Sequence, residues 1–417
     1  MTLKTGLLTR WTVRRLHPET HHDARVTQLF STSAFDEAMM DHALALSRRG
    51  LGRSWPNPSV GAVLVNGPQN QRVIVGRGFT QDGGRPHGEA MAFDQAGDAA
   101  AGATLYVALE PCSHRTVRGG TPCIERSILA GVSRVVSAMD DPNPLIAGLG
   151  HALLLAARIS VNVGVGAAEA KRINLGHGLR VTQGRPMVTL KIAQTSDGYA
   201  GALHQVDDAS GPALLVGARV QISCEQASRW LHLQRAQHDA IMAGVSTVIA
   251  DDPQLNVRLA GLEHRSPIRV VLDSQLRTPL AAKLVQRTDQ IPTWIIAAEH
   301  APIKAEKKLV AAGVEVLRVS AGQNGRLDLS EALRLLATRG ITRVFSEGGP
   351  TVGAELARLG LADEVLISTS PNALGRPGVK AIQPELAAAL GDETRYVPQS
   401  EYMIGHDHLV RHTKRMP

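Results

Sequence analysis

The sequence predicts an α/β protein of two domains, and three observations carry that expectation. The chain is 417 residues long, which is the length of two or three ordinary domains. Short apolar runs alternate with segments of helical period along most of it. The alternation breaks at Gly184-Arg185-Pro186 and then starts afresh. Hydrophobic residues make up 43% of the chain, enough for two cores, but aromatics are only 3%, so those cores must be Ala, Val, Leu and Ile.

The elements follow in order. Residues 1–34 lack periodicity, carry Lys4, Arg10, Arg14, Arg15 and Arg25, and are expected to be a dispensable flexible arm. A first domain is expected over 35–170, a connector over 171–186 and a second domain over 187–417. Asp36 is the expected cap of a helix with Met39, Ala43 and Leu46 on one face. A strand at 60–65 and its hairpin partner at 73–77 come next. A helix opens at His87, a strand covers 104–110, and Thr121-Pro122-Cys123 reads as cap, first turn and helix. A strand at 134–139, the turn Asp140-Asp141-Pro142-Asn143-Pro144, a helix at 152–157 and a strand at 160–165 complete a three-layer unit. A single helix at 171–180 is expected to lead out of it. Further strands are expected at 187–193, 240–243, 268–273, 293–297, 314–318, 343–346 and 364–370, with helices between most of them.

The chemistry is densest at His87-Gly88-Glu89, Pro111-Cys112 and Cys123. One imidazole and two thiols make three ligands for a metal, with Glu89 left over. A catalytic zinc site takes three protein ligands and leaves one position open. Zinc brings the pKa of a bound water toward neutrality, and a neighbouring glutamate can carry protons to a leaving amine. H-x-E followed by P-C and a second cysteine is the pattern of zinc-dependent base deaminases. Here ten residues separate the two cysteines, where that pattern has two. The alternatives are a structural zinc, or a chance grouping in a chain with sixteen histidines. Two of the three ligands open helices, where the dipole favours a thiolate.

In the second domain there is no G-x-G-x-x-G after a strand. Instead the 343–346 strand runs into Glu347-Gly348-Gly349-Pro350-Thr351-Val352-Gly353, and glycines before a helix let backbone approach a phosphate. Ala243-Gly244-Val245-Ser246-Thr247 and the following Asp251, Asp252, Leu255 and Arg258 stand at another strand's carboxyl end, where open α/β sheets bind ligands. Taken singly, each is as readily a tight turn.

Together these pieces resemble the bifunctional riboflavin-biosynthesis deaminase–reductase family over about residues 36–370. The carriers are Pro56-Asn57-Pro58-Ser59-Val60-Gly61, His87-x-Glu89, Leu109-Glu110-Pro111-Cys112-Ser113-His114, Thr121-Pro122-Cys123 and Asp141-Pro142-Asn143-Pro144. The second half adds Thr195-Ser196-Asp197-Gly198, Arg235-Ala236-Gln237-His238-Asp239-Ala240, Thr247 through Pro253, and Glu347-Gly348-Gly349. The resemblance implies a cytidine-deaminase-like N-terminal domain and a dihydrofolate-reductase-like C-terminal domain. It implies Zn2+ on His87, Cys112 and Cys123, with Glu89 as the catalytic proton shuttle. It implies NADPH at Gln194, Thr247, Asp251, Ser274, Gly349, Pro350, Thr351, Val352 and Gly353. It implies a phosphorylated pyrimidine substrate at Arg235, Leu255, Arg258 and Glu347. A deaminase domain joined to a non-catalytic nucleotide-binding domain is the competing expectation. A nucleic-acid deaminase would want stacking aromatics, and 87–123 offers only Phe93 and Tyr106.

Three departures from the family stand out. Gly88 replaces its alanine. The loop 113–122 is longer and carries Arg115 and Arg118. The stretch after Gly198 is also longer and lacks a Gly-Glu-Ser-x-Trp element, with Gly217-Ala218-Arg219-Val220-Gln221 in its place. Polar His204, Gln205, Asp207, Asp208 and Ser210, with apolar Leu214, Leu215 and Val216, are expected to rebuild the missing wall. A plain surface loop is the alternative. Three cysteines are too few for a disulfide framework, so a reducing, cytoplasmic setting is expected. No apolar run approaches a membrane span, so no membrane partner is expected. The net charge of +7 comes without basic runs interleaved with aromatics, so no nucleic acid is expected either. A homo-oligomer is expected.

Overall fold

The computed structural model describes residues 33–113, 120–206, 214–218, 220–322 and 325–415, with backbone alone for 204–206 and 214–218. The expected arm lies outside these residues except at its end, where the first helix already begins. Helix α1 spans Ala34–Gly50, and Ser33, not Asp36, caps it by accepting from the Asp36 amide at 3.1 Å. Asp36 is committed inward instead. Its carboxylate takes both arms of Arg134 at 2.9 Å and the Tyr106 hydroxyl at 2.7 Å, and the residue is only 4% exposed.

The rest of the first domain is β1 (Gly61–Asn66), β2 (Val73–Phe79), α2 (Gly88–Ala96), β3 (Thr104–Val107), α3 (Cys123–Leu129), β4 (Arg134–Ser137), α4 (Leu149–Ala156) and β5 (Ser160–Val163). The sheet order is β2-β1-β3-β4-β5; β1 is antiparallel to both neighbours, and β3, β4 and β5 are parallel. The register shows why helices cover both faces. Gly61 pairs with Phe79 and Ala62 with Gly78, so Gly61 and Gly78 point to opposite faces. A side chain on Gly61 would collide with the Ala43 carbonyl of α1, and one on Gly78 with the Gly88 carbonyl of α2. Glycine at each position is what lets both helices lie flat on the sheet.

The helix expected over 171–180 is two: α5 (Ala167–Ile173) and α6 (Leu175–Gln183). Asn174 separates them, with φ −94° and ψ 11°, and its side-chain amide donates to the Ala170 carbonyl. Gly184, at φ 65°, ends α6 in the left-handed conformation.

The second domain comprises β6 (Met187–Gln194), β7 (Tyr199–Val206), β8 (Leu214–Ala218), α7 (Glu225–Arg235), β9 (Ala240–Gly244), α8 (Val245–Asp251), β10 (Ile268–Leu272) and β11 (Thr293–Ala298). It continues with α9 (Ile303–Ala311), β12 (Glu315–Val319), α10 (Leu329–Thr338), β13 (Arg343–Ser346), α11 (Gly349–Arg358) and β14 (Glu364–Thr369). It ends with β15 (Gly378–Lys380), α12 (Pro384–Gly391), β16 (Tyr396–Ile404) and β17 (Asp407–Lys414). Nine strands form one sheet in the order β12-β11-β10-β9-β13-β6-β14-β17-β16, parallel except where β17 meets β14 and β16. Val188, Leu190 and Ile192 of β6 pack with Leu333, Leu356 and Leu386 of α10, α11 and α12. On the other face Ile241 and Ala243 of β9 pack with Leu231, Val248 and Leu309 of α7, α8 and α9.

Two groups of strands depart from the sequence reading. β7 and β8 form a hairpin that joins β15 in a separate three-stranded sheet, within the stretch read as an insertion. The hairpin β16–β17 extends the main sheet beyond residue 370. Pro398 lies in β16 beside a register shift, which an edge strand tolerates and a central one does not.

The two domains are tightly joined. Arg265 donates to the Arg49 and Leu51 carbonyls at 3.0 and 2.8 Å. Arg180 donates to Ala337 and Pro56, and Trp55 packs against the second domain's core.

The buried Asp36–Arg134 pair yields a stability prediction. Removing one partner leaves the other desolvated, so Asp36→Asn should destabilise the chain by about 3 kcal/mol. Arg134 and Tyr106 hold Asp36 below its usual 3.8 against the opposing effect of burial. The wild-type advantage is therefore full above that pH and lost as pH falls below it. Denaturant midpoints of both proteins across that range measure it.

Candidate active sites

His87 is the cap residue of α2 and Cys123 the first residue of α3, while Cys112 follows β3 on the loop leading toward α3. The expected cap at Thr121 falls one residue later. Pro122 takes that role with φ −53° and ψ 147°, an extended turn that sets Cys123 at the helix start. The ligand atoms of His87, Cys112 and Cys123 lie within 4.8 Å of one another. His87 offers Nδ1 to both sulfurs, at 3.6 Å from Cys112 Sγ and 3.4 Å from Cys123 Sγ. Bonds of about 2.3 Å to sulfur and about 2.0 Å to nitrogen give a tetrahedral N···S edge of about 3.5 Å. Both edges from His87 therefore have the length that a tetrahedral zinc requires.

Charge at this centre is set by burial and by the thiol pair. Cys112 is brought down to about 4, first by the hydrogen bond with Cys123 and then by His87, against burial. Cys123 is pushed well up by the same Cys112 contact and by burial. Burial works to lower His87, but the contact with Cys112 and the charge of Glu89 outweigh it and raise it. Glu89 is 3% exposed. Burial raises its pKa, and its Oε2 has no hydrogen-bond partner. Beside the metal triangle, with only the His87 charge and contacts to Cys123 and its own backbone set against burial, this carboxyl is poised to accept or release a proton.

Glu110, Asp140 and His151 also lie at ligand spacing. Glu110 is already spent there, accepting the amides of Asp141, Gly148 and Gly150 at 2.9, 2.8 and 2.6 Å. It fixes the 140–150 turn beside Pro111 and Cys112.

In the second domain a cleft of about 700 Å³ opens over the sheet. Its floor carries an ion pair: Arg235 Nε and Nη2 hold Glu347 at 2.6 and 3.0 Å, with the side chains 13% and 14% exposed. Burial would raise Glu347, but Arg235 and Lys191 bring it down to about 2. Lys191 lies beside it on β6, its pKa lowered by burial.

The comparisons with known proteins agree from every side. The family described as the cytidine and deoxycytidylate deaminase zinc-binding region matches residues 33–139, and the RibD C-terminal domain matches 186–395. The riboflavin biosynthesis protein RibD of Aquifex aeolicus is 37% identical, over 84% of this chain and 93% of that one. The Escherichia coli RibD is also 37% identical, over 82% and 89%. The chain belongs to the RibD family. Among solved structures, Acinetobacter baumannii RibD superposes with a TM-score of 0.76 at 32% identity, covering 91% of this chain and 99% of its own. A Thermotoga maritima diaminohydroxyphosphoribosylaminopyrimidine deaminase/5-amino-6-(5-phosphoribosylamino)uracil reductase does so at 0.72 and 29%, with the same coverage. As in other RibD proteins, the two halves are a zinc-dependent deaminase and an NADPH-dependent reductase of riboflavin biosynthesis, on cytidine-deaminase-like and dihydrofolate-reductase-like folds.

Of the residues expected in the RibD reductase half, Arg235, Thr247, Asp251, Leu255, Arg258, Glu347, Gly349 and Pro350 all line the cleft. Gly349 adopts φ 78°, a conformation natural only to glycine. Val352 and Gly353 turn toward the core instead: Val352 packs on the apolar cluster, and a Cβ on Gly353 would stand 3.4 Å from Leu190. Only their backbone is left for a phosphate. Thr351 is exposed beyond the cleft lining, Gln194 bonds Thr369 at 3.1 Å, and Ser274 follows β10 outside the lining. Ala200, Gly201, Val220 and Gln221 line the cleft, so the stretch after Gly198 borders it. Asp207, Asp208 and Ser210 lie outside the described residues, as do Arg115 and Arg118, and the side chains of His204, Gln205, Leu214, Leu215 and Val216 are likewise undescribed. Lys191 was missed. Its one available signal was a lysine inside an otherwise apolar strand, Met187-Val188-Thr189-Leu190-Lys191-Ile192. Among the described residues no helix is long and apolar enough to cross a membrane.

Two outcomes follow for the metal triangle. Cys112→Ser should lose zinc and deamination together, against one zinc per chain in the wild type by elemental analysis. Glu89→Gln should keep its zinc yet lose deamination by ~10²–10⁴-fold, the usual worth of a positioned acid/base. Steady-state ammonia release measures the loss.

Proposed function

We propose that this chain hydrolyses the amine of 2,5-diamino-6-ribosylamino-4(3H)-pyrimidinone 5′-phosphate in its first domain. The second domain then reduces the ribosyl group of that product to ribityl. The observation that carries the reading is the match between the His87–Cys112–Cys123 distances and the edge of a tetrahedral zinc site. Zinc held there supplies an acidified water when bound. Glu89, buried and with its pKa raised by that burial, takes a proton at its carboxylate and returns it to the departing amine. The residues then release ammonia and a uracil-type ring.

In the cleft NADPH supplies a hydride when bound. Thr247, Asp251 and the turn at Gly349 and Pro350 hold the cofactor, and the opening backbone of α11 suits a phosphate. Arg258 takes the sugar phosphate, while Glu347, braced by Arg235, orients the ribosyl hydroxyls. Lys191, desolvated beside Glu347, holds the proton that the reduced sugar needs at its ring-opened end. The reading extends to a cytoplasmic homo-oligomer. The exposed Leu129 and Leu145, at 81% and 88%, are surfaces that a second copy would cover.

A coupled assay tests the whole reading. Purified protein with the diaminopyrimidine ribotide should release ammonia without NADPH, and should oxidise NADPH only after that release. Lys191→Met should abolish NADPH oxidation while leaving ammonia release at the wild-type rate. Ammonia release without any NADPH oxidation by the wild type would reduce the second domain to nucleotide binding alone.

A further inference from the structure

One cation beside the metal triangle has no counter-ion. Arg85 is half-buried, and among the described residues it makes no hydrogen bond and no ion pair. The nearest carboxylate in its own loop, Asp82, is engaged by Arg53. A half-buried guanidinium without an anion of its own is open to one that a ligand brings.

Its position ties it to both arms of the metal site. The chain leaves the turn Asp82–Gly84 in extended conformation at Arg85, with φ −149° and ψ 148°, and reaches His87 two residues later. At its other end the guanidinium lies against the second arm: Nη1 is 3.4 Å from where a side chain on Gly120 would begin, three residues before Cys123. Arg85 therefore flanks the metal triangle, while Glu89 lies buried within.

The substrate of the proposed deamination has one anionic group, its 5′-phosphate, and a guanidinium matches a phosphate with two parallel hydrogen bonds. Resting on the deaminase reading above, we propose that Arg85 binds the 5′-phosphate of the deaminase substrate and so positions the pyrimidine over the metal triangle. The first domain then has its own phosphate anchor, independent of Arg258 in the reductase cleft. Arg85 is a positioning residue: it touches the substrate far from the bond that breaks.

The test compares Arg85→Gln with the wild type on the ribotide and on its dephosphorylated riboside. One charge-assisted contact corresponds to a KM for the ribotide raised about 10–100-fold in the variant, with kcat changed little. On the riboside the two proteins should have the same KM. Ribose 5-phosphate should inhibit riboside deamination competitively in the wild type and at least tenfold more weakly in the variant. Arg85→Lys should recover part of the ribotide affinity, since it restores the charge without the fork. Zinc content and NADPH oxidation with pre-deaminated substrate should be unchanged, which separates the effect from misfolding. An equal loss on ribotide and riboside, or an unaltered ribotide KM, overturns the assignment of Arg85 while leaving the deaminase reading intact. A wild type that releases no ammonia from the ribotide overturns that reading and the anchor with it.

Discussion

The first turn of a helix leaves amide groups without intrahelical partners, and the functional architecture of this chain is built around that deficit. His87 stands at the cap of α2 and Cys123 opens α3. In the second domain Thr247 lies in the opening turn of α8, and Gly349 and Pro350 open α11. Each of these turns faces a place where a thiolate, a metal-bound group or a phosphate gains from unpaired donors. The alternation of strand and helix brings such turns to one edge of each sheet. The core then has a single task, which is to keep those edges in register. Gly61 and Gly78 show how closely that register is held, since either would have to move if it gained a side chain.

Two buried glutamates show how surroundings divide the chemistry. Glu89 lies among sulfur, imidazole and apolar atoms, with one oxygen unpartnered, and burial lifts its pKa. Glu347 is somewhat less deeply set, and Arg235 and Lys191 bring it down to about 2. The same side chain is thus pushed toward its neutral form in one domain and held as an anion in the other. The difference lies in how much positive charge offsets the burial: His87 alone acts on Glu89, while Arg235 and Lys191 both act on Glu347. Arg235 is itself oriented by the Asn256 carbonyl at 2.9 Å, so the anion is held in a fixed direction.

Residue order made most of the architecture legible. Seven of the second domain's strands were apparent as apolar runs, because a strand covered on both faces is apolar throughout. The metal triangle was legible because two of its ligands are among only three cysteines and two of them open helices. The caps were less legible, since a cap depends on what else a side chain is doing. Asp36 looks like a cap locally, but Arg134, almost a hundred positions away, claims its carboxylate. The strands β7, β15 and β16 carry small or polar residues and owe their form to pairing partners distant in sequence. Lys191 was hidden for a related reason. Its meaning comes from Glu347, which reaches it only through the pairing of β6 with β13.

The junction between the halves has a consequence for how this protein can be taken apart. Trp55 leaves its own domain to pack on the other's core, and a side chain on Gly52 would meet the Ala236 carbonyl. Buried Arg343 donates to the Ile173 carbonyl at the end of α5. The covalent connector is thus only one of several ties. A protease that cut at Gly184 would leave a nicked pair whose halves stay associated, each supplying part of the other's surface. Fusion here is a matter of shared interior as well as of shared chain.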